Sequence, residues 1–376
     1  MRTPFLVVSV VLLLAGAGDA HPTPGATRPA AIEASTSGCG TGWEHPHAGG
    51  QVLTVRNDGA TAAGVTLIDA ASGAVYAEIE GLGPGVTRRL HLSLGGGTYA
   101  FRCEDDAGGD PVTGPSIRIA GGPGSSVAVL PVTNNDLYAP ARAYSKYVDA
   151  GLDRLIAATG RLRAAVDDGD LDAARSAWTP AHLAYERLGA AYGTFGDFDS
   201  AINGSPAGLP KGVHDPGFTG FHRLEYGLWH GESAASLRKV ADRLAHDTRA
   251  LKSDFPHQRM DPADLPLRAH EILENTLQFQ LTGKADQGSG TTLKTAAANV
   301  EGTREVLGVL RPLLRDRYPA LPQVYTWLDR FDAQLKGRSS VDRLSTTERE
   351  RLNGTAGRLL ELLAPIATIA QPRRVS

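Results

Sequence analysis

The chain has two cysteines and two methionines in 376 residues, and only 6% of it is aromatic. Both cysteines precede residue 104, and Met260 is the single thioether of the later part of the chain. A soft thiolate or thioether site for cuprous ion is therefore excluded there. An excess of one charge is also missing, since the formal net charge is −3 with Lys and Arg scattered. Neither a phosphate-tracking groove nor a polybasic membrane patch follows from this, and no nucleic acid partner is expected. Long apolar runs are absent after Ala17. The run from Phe5 to Ala17 lies behind Arg2, precedes Gly18 and Ala20, and falls short of the about 20 apolar residues of a membrane span. It reads as a secretory signal ending at Ala20 or Ala17. With no cysteine at the cleavage region for a lipid anchor, an exported protein is expected, periplasmic or at the cell surface, soluble or tethered by an uncleaved signal.

What is present divides the chain. After the signal at 1–20, a segment rich in Pro, Ala and Thr at 21–38 reads as a flexible linker. From 39 to 133, short alternating runs recur about every ten residues between Gly-rich turns, the pattern of an all-β sandwich. Strands are expected at 51–56, 65–69, 74–79, 86–94, 98–103, 116–119 and 126–132. From 134 to 376 the apolar period lengthens to that of helices, as with Leu152, Leu155, Ile156 and Leu162. Seven or eight helices exceed one four-helix bundle, so two packed bundles are expected. Ser345 and Glu348 have the spacing of a capping box for the last helix.

The segment TGFHRLEYGLW, from Thr219 to Trp229, carries His222 and Glu225 three positions apart. On a helix they share a face within one turn of about 5.4 Å, so an imidazole and a carboxylate can address one ion. The plain alternative is a buried His satisfied by its neighbouring Glu. Trp178, His182 and Glu186 recur at intervals of four on a second helix, and His270 with Glu274 on a third. Polar groups that converge from otherwise apolar helices are how metal sites are made inside bundles.

With these residues on the page, the stretch from Trp178 to Gly189, the stretch from Gly193 to Asp199, GFHRLEYGLW, Ala298 to Gly302 and the LRPLL of Leu310 to Leu314 resemble the imelysin-like domain of EfeO-type iron-uptake components. The resemblance runs from about Ala139 to Ile369. It implies an N-terminal cupredoxin-like β-sandwich, a C-terminal all-α imelysin-like helical bundle, and iron as the bound metal, with zinc or copper in its place. It also implies a partner, a membrane iron permease of the same uptake system. Carried across by position, the ligand set is His222, Glu225, Glu186 and Glu274, with departures at Gly189 and Asn203, where the family carries acids. The family is also catalogued as metallopeptidases, which supplies the rival reading of an enzyme. An HxxE pair differs from HExxH, because Glu225 has no second His at the zinc-binding interval and would itself be used as a ligand. A cell-surface binding module built on the sandwich is a third reading.

Cys39 and Cys103 are expected to form a disulfide in an oxidising compartment. The alternative, from the cupredoxin-like resemblance, is a copper site completed by His45, His47 or Glu104.

Overall fold

The computed structural model describes residues 31–105 and 108–372. The expected signal at 1–20 and the first part of the linker lie outside the described residues.

The β region consists of β1 (Ile32–Glu33), β2 (Gly49–Arg56), β3 (Ala63–Asp69), β4 (Val75–Leu82), β5 (Thr87–Leu94), β6 (Gly97–Asp105), β7 (Val112–Thr113) and β8 (Ile117–Ile119). One sheet runs β1-β2-β5, and the other runs β4-β3-β6-β7 with β8 also paired to β6. Alternation along β2 shows why: Gln51, Leu53 and Val55 are buried while Val52 is exposed, so a shift by one residue would turn the apolar set to water. Leu53, Val55, Leu92 and Leu94 from the first sheet meet Val65, Leu67, Tyr99 and Phe101 from the second in one core. The arrangement is consistent with a cupredoxin-like domain.

Two expectations are corrected. The linker reading fails at its end, because Ile32 pairs in parallel with Val55 and both Ile32 and Ala34 are buried. Two apolar residues suffice to dock an otherwise Pro- and Thr-rich segment. The run 126–132 is not a strand: Val129 makes an isolated bridge to Val75, and Val132 one to Pro372. Val127 and Val129 are exposed, and Pro131 lacks the donor a ladder needs.

Cys39 and Cys103 are joined in a disulfide with Cα atoms 5.7 Å apart. The bridge fastens the loop after β1 to β6, beneath the edge-on contact of Trp43 with Phe101. Neither sulfur remains as a thiolate for copper.

The helical region comprises α1 (Asn134–Asp167), α2 (Leu171–Glu186), α3 (Tyr192–Phe195), α4 (Asp197–Asn203), α5 (Gly220–Trp229), α6 (Ala234–Asp254), α7 (Asp264–Asn275), α8 (Thr292–Leu314), α9 (Leu321–Leu335) and α10 (Thr346–Ile369). Capping boxes start two of them, Thr133 with Asp136 on α1 and Ser345 with Glu348 on α10. Each satisfies backbone donors that a helix start leaves unpaired. Helices α1, α2, α5 and α6 form one packed group and α7 to α10 another, with α8 lying against both α1 and α2. The two groups share one continuous core. Gly302 permits the α8 contact, since a Cβ there would lie 2.8 Å from the Arg187 carbonyl oxygen.

The bridge closes a loop of 64 residues. Replacing both cysteines by serine is expected to destabilise the β region by about 4 kcal/mol in the chain-entropy model. Denaturant unfolding of the parent and the double variant measures this, and thiol titration of the unreduced, unfolded parent should find no free thiol.

Candidate metal centre

The polar residues singled out in the sequence meet where the two helix groups join. On α2, the interval of four places Trp178, His182 and Glu186 on one buried line. On α5, His222 and Glu225 are buried side by side. Trp178 ties the helices together, its Nε1–H donating to the Phe221 carbonyl at 3.0 Å, while its ring stacks on His182 at 4.7 Å. The rings of His182 and His222 lie edge to face, 5.2 Å apart.

Glycine sets the register of α5. Gly220 has φ +77°, and a Cβ there would come within 2.2 Å of the Ile202 carbonyl oxygen. Only glycine allows α5 to start so close to the end of α4. That approach brings Asn203 to the α2 carboxylate, where its amide nitrogen donates to Glu186 Oε1 at 2.8 Å.

Glu225 has both oxygens engaged. Its Oε2 accepts from His222 Nδ1 at 3.0 Å. Its Oε1 accepts from the backbone N–H of Gln287 and of Ser289, each at 3.1 Å, and from the Ser289 hydroxyl. A carboxylate partner places the proton on Nδ1, so His222 presents the lone pair of Nε2, the usual second-neighbour arrangement around a metal-binding imidazole. Among the described residues, no hydrogen-bond partner meets that Nε2.

Glu186 is held from two sides. Its Oε1 accepts from the Asn203 amide nitrogen and lies 3.1 Å from His182 Nε2, which also meets Asn203 Oδ1 at 3.1 Å. With the Asn299 amide oriented to satisfy its neighbours, the Asn299 nitrogen donates to Glu186 Oε2 at 3.0 Å. Burial favours the neutral form of each partner in the His182 and Glu186 pair, but their mutual attraction and the Asn203 amide outweigh it. The His182 imidazole is thereby held above its ordinary value and the Glu186 carboxyl below its own. Glu225 is also held low, as the His222 and Ser289 hydrogen bonds outweigh its burial.

Glu186 and His222 open onto a cavity of about 760 Å³. Asp199, Asn203, Arg268, Glu271, Asn275, Gln280, Lys284 and Asn299 share its wall. Asp199 accepts from the Tyr185 hydroxyl, and its burial together with nearby Glu186 raises its carboxyl above the ordinary range. Glu274 is not brought to this group. It is not among the residues that line the cavity and lies 3.6 Å from His270, whereas Glu271, about one helical turn earlier, lines the cavity and binds Arg268. Gln280 and Phe279 enter the wall from a single wide helical turn, Thr276–Gln280. Such turns re-aim side chains near functional sites.

The donors are imidazole nitrogen and carboxylate oxygen, which suit iron, zinc, manganese or cupric ion. His182 Nδ1 is buried with no protein partner, leaving one polar atom unmatched at the centre. Among the described residues, no group of three or more His, Cys, Asp or Glu side chains is arranged to hold an ion by itself.

His182 was visible in the sequence through its spacing with Trp178 and Glu186. Ser289, Gln287 and Asn299 carried no such mark, because a loop and an amide on an apolar helix have no periodicity to break.

The fold and the centre together define an all-helical domain with a buried imidazole and carboxylate cluster, preceded by a β-sandwich. Residues 140–366, more than half of the chain, match the Peptidase_M75 family model, described as Imelysin. The chain belongs to the imelysin family. It is similar to the iron uptake system component EfeO of Yersinia pseudotuberculosis serotype I (strain IP32953), 28% identical over 299 residues that cover 78% of each chain. It is equally similar to the iron uptake system component EfeO of Escherichia coli O1:K1 / APEC, 28% identical over 306 residues and again 78% of each chain. Among the described residues, no helix is long and apolar enough to cross a membrane.

The shifted groups set a pH window for the metal-free fold. His182, raised from 6.5, contributes stability that is complete below that value and lost as pH rises through its folded value. Glu186, lowered from 4.5, contributes stability that is complete above that value and lost as pH falls through its folded value. The Tm advantage of the parent over Glu186→Gln is therefore expected to be greatest between 4.5 and 6.5 and to shrink on either side. Thermal unfolding of both proteins across that range, in chelator, measures it.

Proposed function

We infer that this protein is the extracytoplasmic metal-binding component of an iron uptake system, taking up iron at the centre of the helical region and delivering it to a membrane permease. The observation that carries the reading is the state of His222. Its Nδ1 is committed to Glu225, its Nε2 has no hydrogen-bond partner among the described residues, and His222 lines the same cavity as Glu186. That is a donor made ready for a cation. His222 and Glu186 are the ligands in this reading, and Glu225 orients the imidazole and fixes its tautomer. The EfeO relatives, each named as an iron uptake system component, support iron rather than zinc or copper. The apolar run at Phe5 to Ala17 supports export from the cell.

Iron binding to the chelator-stripped chain, followed by calorimetry, tests the reading. His222→Ala is expected to abolish it. Glu225→Gln keeps the shape but accepts poorly from Nδ1, and is expected to weaken binding by about tenfold to a hundredfold, the usual loss when the partner of a metal-bound imidazole is removed. A cation on Glu186 competes with the charged His182 imidazole for that carboxylate, so affinity in the parent is expected to fall as pH drops and the binding enthalpy to vary with buffer ionisation. Parent-like iron binding in both variants would place the ion elsewhere.

A further inference from the structure

The open donors at the centre are few compared with the space in front of them. Glu225 is hydrogen-bonded at both oxygens, and Glu186 Oε1 accepts from Asn203 and is ion-paired with His182. His222 Nε2 and Glu186 Oε2 remain, the latter shared with Asn299. A hard iron ion in octahedral surroundings has about six positions to fill. Its charge also greatly exceeds what Glu186 alone supplies. Yet the cavity that meets these donors measures about 760 Å³. At about 30 Å³ of liquid volume per water, that is far more room than an ion with a few waters occupies.

The wall away from the centre carries groups suited to an anion. Lys284 lines the cavity and is exposed, with no acidic or hydrogen-bonding partner for its ammonium among the described residues. Arg268 lies across Gly193, where a Cβ would come within 2.7 Å of its Nη2, so the missing side chain makes room for the guanidinium. The acids on the same wall are already held, Glu271 by Arg268 and Asp199 by the Tyr185 hydroxyl. The amides of Asn275 and Gln280 add neutral hydrogen-bonding groups.

Building on the iron-binding reading, we propose that the cavity takes ferric iron together with a small polycarboxylate of the citrate class. The iron is bound by His222 and Glu186 at the inner end, and a free carboxylate of the chelator meets Lys284 and Arg268 at the wall. The chelator supplies the oxygen donors and the negative charge that the protein does not. An ammonium and a guanidinium are the side chains that recognise carboxylate, the first as a point charge and the second as a fork.

The test uses the full exported chain, stripped of metal and offered ferric citrate made with labelled citrate, then desalted. Iron and citrate are expected to be retained together in about equal amounts, one of each per chain. Lys284→Gln, an exposed substitution, is expected to lower citrate retention and ferric affinity by about tenfold, equivalent to roughly 1.4 kcal/mol, with binding of zinc given alone unchanged. Lys284→Arg is expected to restore both. Iron retained without citrate, or citrate retained equally by parent and Lys284→Gln, overturns this proposal and leaves the iron-binding reading in place. Failure to retain iron in any form overturns that reading and this proposal with it.

Discussion

The centre depends on the clamp around one buried carboxylate. Removing a charged carboxylate from water costs several kcal/mol unless hydrogen bonds replace its hydration. At Glu225 the replacement comes from two directions, the imidazole of its own helix and the N–H and hydroxyl groups of the 287–289 loop. That loop leads into α8, which belongs to the other helix group. The same four contacts therefore fix the His222 tautomer, anchor a loop and staple the two groups at their seam. None of the three effects can be relaxed alone, because each would leave part of the charge unpaired.

Rigidity spreads outward from the seam by close approach. Gly220 lets α5 start against α4, which delivers Asn203 to Glu186, and Gly302 lets α8 lie against the end of α2, on the same helix as Asn299. Both amides hold the Glu186 carboxylate without adding charge. Trp178 closes the other side by stacking on His182 and bonding to the α5 backbone. The polar cluster is thus enclosed by an aromatic wall and opens on one side, toward the cavity.

Periodicity made the larger part of this legible. The change of apolar period near residue 134 divided the β-sandwich from the helices, and an interval of three or four put His222 with Glu225 and Trp178 with His182 and Glu186 on buried faces. The limit of the method shows on α7. One residue is a rotation of about 100° around a helix, so Glu271 stands off the line that joins His270 to Glu274, and a reading of spacing from His270 passed over the acid that lines the cavity. The strand at Ile32 was hidden for a different reason: composition described its neighbours correctly, while two apolar residues decided the docking. The donors on Glu225 Oε1 are backbone groups of a loop, which no side-chain pattern encodes.

The incompleteness of the donor set is itself consistent with a carrier. A centre that supplied every ligand from fixed, buried side chains would bind its ion tightly, and release would require the seam to open. In the proposed reading, the carboxylate that fastens the seam is bonded to Nδ1 of the imidazole, so an ion at Nε2 could be exchanged while the clamp stays made. On that reading the strong contacts orient the donor and leave the ion outside the clamp.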